Sequence, residues 1–304
     1  MYYDNNTIIY FNGQLIKAKE ANLDLYSQSL HYGYSVFEGL RAYQGKIFKG
    51  IQHFNRLEAS AGAVNLPYRW NTKVLIGITC ELLKQNQLTD AYIRPLVYAP
   101  ANMGFKKNTD SHLVIQCWKM EPFLGEQLLK VMTSSFQRPN PGGFKIHAKV
   151  SGHYVNSILA SQEAKDLGFD EALLNDIHGY VAEAPGANIF YEKDGKLYTP
   201  PPGNILPGIT RATIMELCED LNIAVEEKLF TVKELKTADA AFFCGTAVEV
   251  IGLESIDNHV FKLNWEDTLS CKIQHAYKNL VIEKFEPQRL KDTKKHKELP
   301  KIPS

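Results

Sequence analysis

The apolar run over residues 7–11 reads as a strand, broken by the turn at Asn12-Gly13 and returning over 14–17, which predicts a β-hairpin at a sheet edge. A helical period follows. In HFNRLEASAGAVNL, Phe54, Leu57, Ala61 and Val64 recur at helical spacing, and residues 71–85 repeat the pattern with Leu75, Ile78 and Leu82 on one side. Alternation marks AYIRPLVY (91–98), placing Tyr92 and Arg94 on one face of a strand and Ile93 on the other. Pro95 has no N–H for a ladder, so it predicts an edge or a bulge there. A further buried strand covers 112–118, and the breakers Pro122 and Gly125 put a connection at about 122–127.

The second half opens with a strand at 130–136 and an irregular loop at 138–143. Ser151 is placed to cap a helix over 152–165. Strands at 171–174 and 180–181 flank the turn at 176–179, and a hairpin joins 188–192 to 196–199 across Asp194-Gly195. Pro207-Gly208 precedes an amphipathic helix carrying Ile214, Leu217, Cys218 and Leu221; a short strand at 240–243 and a helix at 271–282 follow. The expected division is a small N-terminal α/β domain (1–121), the connection (122–127), a larger C-terminal domain (128–290) and a mobile basic tail (291–304).

Composition narrows the partners. The 304 residues are 44% hydrophobic, enough for one large or two moderate cores. Lys and Arg number 34, as do Asp and Glu, so nothing favours a nucleic acid or an anionic membrane. No run reaches the roughly 18 apolar residues that span a bilayer, and the N-terminus does not read as a signal peptide. The five cysteines are scattered without a CxxC, which predicts buried thiols in a reducing compartment, the cytoplasm, and neither a disulfide framework nor a metal site.

Candidate chemistry concentrates between residues 146 and 190. Lys149 in AKVSGHYVNS precedes a helix, and Glu183 in GYVAEAPGANIF lies in a Gly- and Pro-broken turn. An amine can condense with an aldehyde, and a carboxylate can keep a ring nitrogen protonated. Arg94 in an apolar strand needs a partner, either a bound carboxylate or a salt bridge at the domain rim. The aromatic stretch SLHYGYSVFEGLRAYQGKIF reads either as a packed loop or as the wall of an apolar pocket. Thr210 either caps a helix or joins its free N–H groups in binding phosphate. The Cys244-Gly245-Thr246-Ala247 turn can expose successive N–H groups as an anion nest. Neither GxGxxG nor GxxxxGK[ST] occurs.

HYGYSVFEGLRAY, HFNRL, AKVSGHY, EAPGANIF, LPGITR and CGTAVE follow one another in this order. From about residue 9 to 277 the chain thereby resembles the branched-chain aminotransferases of the class-IV pyridoxal phosphate family, fold type IV. The resemblance implies an α+β, two-domain architecture, each domain mixed sheet or barrel plus helices, with the active site at the domain interface. It implies that Lys149 holds pyridoxal 5'-phosphate and moves the substrate α-proton, for which its pKa must be lowered. Glu183 would face the pyridine nitrogen and Tyr154 the phenolic oxygen. Arg56, Ile209, Thr210 and Thr246 would hold the phosphate. Tyr32, Phe37, Tyr92, Arg94 and Phe123 would contact the substrate, Arg94 at the distal carboxylate of glutamate or 2-oxoglutarate. The Thr246–Ala247 backbone would hold the substrate carboxylate. Glu38 and Arg41 are expected as local structural ions, and His53 as a structural hydrogen-bonding residue.

The implied reaction passes the amino group of L-leucine, L-isoleucine or L-valine to 2-oxoglutarate, giving branched-chain 2-oxo acids and L-glutamate. The implied assembly is a homodimer or higher homo-oligomer. D-Amino acid aminotransferases and aminodeoxychorismate lyases share the lysine and glutamate, so the pocket residues must separate these readings. A non-enzymatic scaffold is disfavoured because lysine, glutamate, phosphate ligands and nest occur together. The chain departs from the family's frequent residues at Phe123 (often tyrosine), at Ser151-Gly152-His153 (often glycine and asparagine) and at Cys244 (often serine).

Overall fold

A computed structural model describes residues 2–120 and 127–282. Phe123, nearly all of the predicted connection and the basic tail lie outside the described residues.

The first part runs β1 (Ile8–Phe11), β2 (Gln14–Lys17), α1 (Gln28–Tyr32), β3 (Ser35–Phe37), β4 (Leu40–Tyr43), β5 (Lys46–Ile47), α2 (Gly50–Ala63), α3 (Thr72–Gln85), β6 (Ala91–Tyr98) and β7 (His112–Lys119). Its seven strands form one antiparallel sheet in the order β2-β1-β7-β6-β4-β5, with β3 also on β6. The predicted hairpin is β1–β2, in the register Ile9↔Ile16. Asn71 starts α3 by accepting from the N–H groups of Lys73 and Val74. Phe54, Leu57 and Ala61 of α2 and Leu75 and Leu82 of α3 meet Leu40, Ile93 and Ile115 of the sheet in one core.

Pro95 does not mark an edge. β6 pairs with β7 along its whole length, and on its other side with β4 and β3. Those two short strands part at Glu38-Gly39, opposite Pro95, so the missing N–H falls at a gap in the neighbouring ladder. There the Pro95 carbonyl accepts from the Glu38 N–H.

The second part runs β8 (Leu129–Gln137), α4 (Tyr154–Asp166), β9 (Glu171–Asn175), β10 (Val181–Glu183), β11 (Asn188–Lys193), β12 (Lys196–Thr199), α5 (Ile209–Asp220), β13 (Val225–Glu227), α6 (Val232–Leu235), β14 (Ala240–Gly245), β15 (Glu249–Ile256), β16 (His259–Val260) and α7 (Leu269–Ile282). The strand order is β10-β9-β8-β15-β14-β11-β12-β13, and β10 also pairs with β11, so the sheet closes on itself as a barrel. Val131, Leu173, Ile189, Tyr191, Phe243 and Ile251 pack together in one cluster. Alternate residues Phe190, Phe242 and Val250 pack with Ile214 and Leu217 of α5 and Ile273 and Tyr277 of α7 in another. Ser151 caps no helix. A 3₁₀ turn (Ser151–His153) precedes α4, and the Ser151 hydroxyl accepts from that of Ser35 at 2.7 Å. No helix among the described residues is long and apolar enough to cross a membrane.

Candidate active site

Lys149 comes from the second part of the chain but is seated by the first. Its N–H donates to Ser60 Oγ of α2 at 3.0 Å, its carbonyl accepts from the Phe37 N–H at 3.0 Å, and Val36 bridges Val150. Two glycines permit this approach. Gly33 ends α1 in the left-handed region (φ 63°), and a Cβ there would lie 2.7 Å from the Gly152 Cα. The Gly152 N–H donates to the Gly33 carbonyl at 3.0 Å. The Lys149 ammonium donates to Tyr154 Oη at 2.5 Å and lies 4.8 Å from the Phe37 ring centre. Phe37 and Tyr154 meet edge to face.

Glu183 ends β10 and is buried. Its carboxylate takes an ion pair from Arg138 Nη2 at 2.8 Å, a hydrogen bond from Asn188 Nδ2 at 2.9 Å and the Leu206 N–H at 3.1 Å. Burial pushes the carboxyl above its ordinary pKa, and Arg138, the Leu206 N–H and Lys149 pull it back only in part. The sequence pattern places Arg138 only in an irregular loop. The signal for more was an arginine directly after an apolar strand, where an unpaired guanidinium is costly.

His153 lies beside Arg138. Burial, and then Arg138, push its pKa down to about 4, so the ring is neutral at neutral pH. It meets the Phe144 ring edge to face.

Arg56 lies 14% exposed on α2, with its fork set by Glu38. Nε donates to Oε1 at 2.6 Å and Nη2 to Oε2 at 2.9 Å, while Nη1 reaches the Pro207 carbonyl at 2.9 Å. His53 also donates to Glu38 Oε2, at 2.7 Å. Burial pushes the Glu38 carboxyl up, but Arg56 and His53 more than offset it and hold it at about 2. Glu38 thus fixes the direction of Arg56.

Pro207 leads into α5, whose N-cap is Gly208, not Thr210. A Cβ on Gly208 would collide with the Asn188 amide oxygen, so only glycine lets the helix start this close to β11. Thr246 and Ala247 form the turn after β14. The turn ends at Glu249, which is left-handed (φ 56°) and accepts from Tyr43 Oη at 2.8 Å, with Arg41 Nη1 3.7 Å away.

One cavity gathers Arg56, Lys149, Tyr154, Glu183, Ile209, Thr210, Thr246 and Ala247, with Arg138, His153 and Asn188. Lys149, Tyr154, Tyr92 and Ala247 also line an adjoining cleft of about 1380 Å³, walled by Phe37, Arg94 and Trp118. Arg94 is a charged group set among those aromatic rings. Its Nη2 donates to Tyr92 Oη at 3.0 Å, and its Cζ lies 4.5 Å from the Phe37 ring centre and 6.0 Å from that of Trp118. Its Nε has no hydrogen-bond partner, and no ion pair to a carboxylate is found, among the described residues. A salt bridge at the rim is therefore not what the described residues provide.

Tyr32 stands apart from the other expected substrate contacts within this chain. It lines neither space; it is 48% exposed at the end of α1, tilted against Phe105. The left-handed turn at Gly33 sends Phe37 inward and leaves Tyr32 outside. Trp118 is a wall residue that the strand pattern conceals, because it looks like one more apolar position.

The chain that gathers this amine and buried carboxylate in one cavity matches a known family model, "Amino-transferase class IV", over residues 35–256. The chain belongs to the class IV aminotransferase family. Within that family it is 39% identical over 293 residues to the branched-chain-amino-acid aminotransferase of Pseudomonas aeruginosa, covering 93% of this chain and 95% of that one. The solved branched-chain aminotransferase from Thermoproteus uzoniensis, with norvaline, superposes with a TM-score of 0.87 at 33% identity, covering 90% and 94% of the two chains. The branched-chain amino acid aminotransferase from Thermobaculum terrenum, solved in its PLP-form, gives 0.85 at 31% identity, covering 92% and 95%. The barrel and helix architecture described above is that of these family members.

Proposed function

We propose that this chain is a pyridoxal 5'-phosphate-dependent transaminase that moves the amino group of L-leucine, L-isoleucine or L-valine to 2-oxoglutarate. The observation that carries the reading is the Lys149–Tyr154 pair in one cavity with the buried Glu183–Arg138 pair and the Arg56–α5–Thr246 rim.

The residues fit the cofactor. Arg56, its Nε–Nη2 edge held by Glu38, keeps one N–H on each Nη and its charge for a phosphate, and the start of α5, kept open by Gly208, supplies N–H groups with the Thr210 hydroxyl. Glu183 offers a carboxyl suited to a protonated ring nitrogen. When bound, pyridoxal phosphate supplies the electron sink for loss of the substrate α-proton.

The chain's own groups do the rest. Lys149 Nζ is the amine that holds the cofactor and carries the proton, and Tyr154 Oη positions it. Arg138 draws the Glu183 carboxyl back toward ionisation, against the burial that raises it. Phe37, Tyr92 and Trp118 exclude water from the donor side chain, and Arg94 among them receives the distal carboxylate of the acceptor. The Thr246–Ala247 turn, braced by Glu249 on Tyr43, holds the substrate carboxylate.

Leu25, Tyr26, Tyr32 and Phe105 (92% exposed) form an apolar surface on the N-terminal part, which we assign to contact with a second copy. Light scattering should give at least twice the monomer mass. Four of the five cysteines are free and buried and Cys80 is free and exposed, which suits the reducing cytoplasm. A transamination screen of L- and D-amino acids with 2-oxoglutarate tests the whole reading: L-leucine, L-isoleucine and L-valine should lead. Preference for D-alanine would overturn it.

A further inference from the structure

The scattered cysteines predict no metal site, but that expectation weighs cysteines only against each other. In three dimensions one of them meets two other metal-binding side chains. Glu266 lies on a 3₁₀ turn (Trp265–Asp267), and Cys271 and His275 lie four residues apart on the first turns of α7. That spacing puts the last two on one face of the helix. Their donor atoms and that of Glu266 all lie within 4.8 Å of one another. Cys271 Sγ is 3.5 Å from Glu266 Oε2 and 3.9 Å from His275 Nε2. With zinc bonds of about 2.3 Å to sulfur and about 2.0 Å to nitrogen or oxygen, adjacent ligands of a tetrahedron lie about 3.5 Å apart. The set is therefore close to coordination spacing without any metal.

The backbone that carries these donors is held in place. The Thr268 hydroxyl donates to the Trp265 carbonyl at 2.6 Å and accepts from the Cys271 N–H at 2.9 Å. The Ser270 N–H and hydroxyl both donate to buried Glu192. Glu266 and His275 are exposed while Cys271 is buried, so an ion can enter from solvent and keep water as a further ligand. None of the three lines the active-site cavity or its cleft.

We propose that Glu266, Cys271 and His275 form a peripheral site for a borderline divalent cation of the zinc class, with water completing the tetrahedron. Thiolate, imidazole and carboxylate together favour such an ion over calcium or magnesium, which take oxygen ligands. The site joins the 3₁₀ turn to α7 and is independent of the transamination reading.

The test uses the holoenzyme, treated with chelator and then titrated with Co²⁺. One equivalent should bring up a thiolate-to-cobalt charge-transfer band and tetrahedral visible bands, and Zn²⁺ should displace both. Cys271→Ser should abolish the charge-transfer band. His275→Ala changes only an exposed side chain, so it should fold and transaminate normally while binding at least tenfold more weakly. Absence of a charge-transfer band with wild type would overturn the proposal. So would a band that persists in Cys271→Ser, or equal affinity in His275→Ala.

Discussion

Arg138→Met keeps much of the side chain's volume but removes the guanidinium from Glu183. The pair it breaks spans 2.8 Å, with side chains only 8% and 6% exposed. Removing one partner of a buried pair costs about 3–5 kcal/mol. Glu183 keeps its bonds from Asn188 and Leu206, which places the cost near the lower end, about 3 kcal/mol. For a chain of this size, with a melting entropy of about 0.6 kcal/mol/K, that lowers Tm by about 5 °C.

The loss should depend on pH with a defined sign. Burial already holds the Glu183 carboxyl above its ordinary value, and Arg138 is the first group pulling it down, so the variant's carboxyl must lie higher still. The folded variant then binds a proton that the unfolded chain has released, and stability falls as pH rises through that window. Thermal unfolding of the cofactor-free proteins should show variant and wild type close together near the ordinary carboxylate pKa. They should separate progressively toward alkaline pH. A gap of equal size across the whole range would refute the reasoning, because it would mean that Arg138 acts by packing and not by charge.

Three further outcomes are expected. Borohydride reduction of the loaded enzyme should label Lys149, and Lys149→Ala should lose nearly all transamination; label on any other lysine sinks the assignment. Arg56→Ala removes a charged donor and should weaken cofactor affinity by roughly 1.5–3 kcal/mol, about ten- to a hundredfold, read by titration of stripped protein; unchanged affinity contradicts its role. Arg94→Ala should slow the single-turnover half-reaction with glutamate more than that with leucine, and equal losses in folded protein would remove Arg94 from substrate selection.

Local patterns are legible wherever one residue type has one use. The β1–β2 hairpin, the helical run of α3 and the alternation of β6 all follow from neighbours in the chain. The same holds for Lys149, Glu183 and the α5 start, which lie in distinctive motifs and line one cavity. What sequence conceals is pairing at a distance. Arg138 looks like a loop residue because Glu183 lies beyond a helix and a strand. β15 escapes the pattern because its EVIGLESI run is buried on both faces and shows no alternation. Tyr32 and Phe37 share one aromatic motif, yet within this chain only Phe37 lines the cleft, a distinction the motif does not carry.

The bonds that seat Lys149 also decide when this molecule becomes competent. The barrel closes from its own strands, yet the amine is held by Ser60, Phe37 and the Gly33–Gly152 approach, all of which require the N-terminal sheet to have formed and docked. These contacts join segments far apart in the chain. A chain whose N-terminal sheet has not docked therefore has no ordered seat for the Lys149 amine. Capture of the cofactor then acts as an inspection step: it adds binding energy only to chains that have finished docking, and withholds that protection from those that have not.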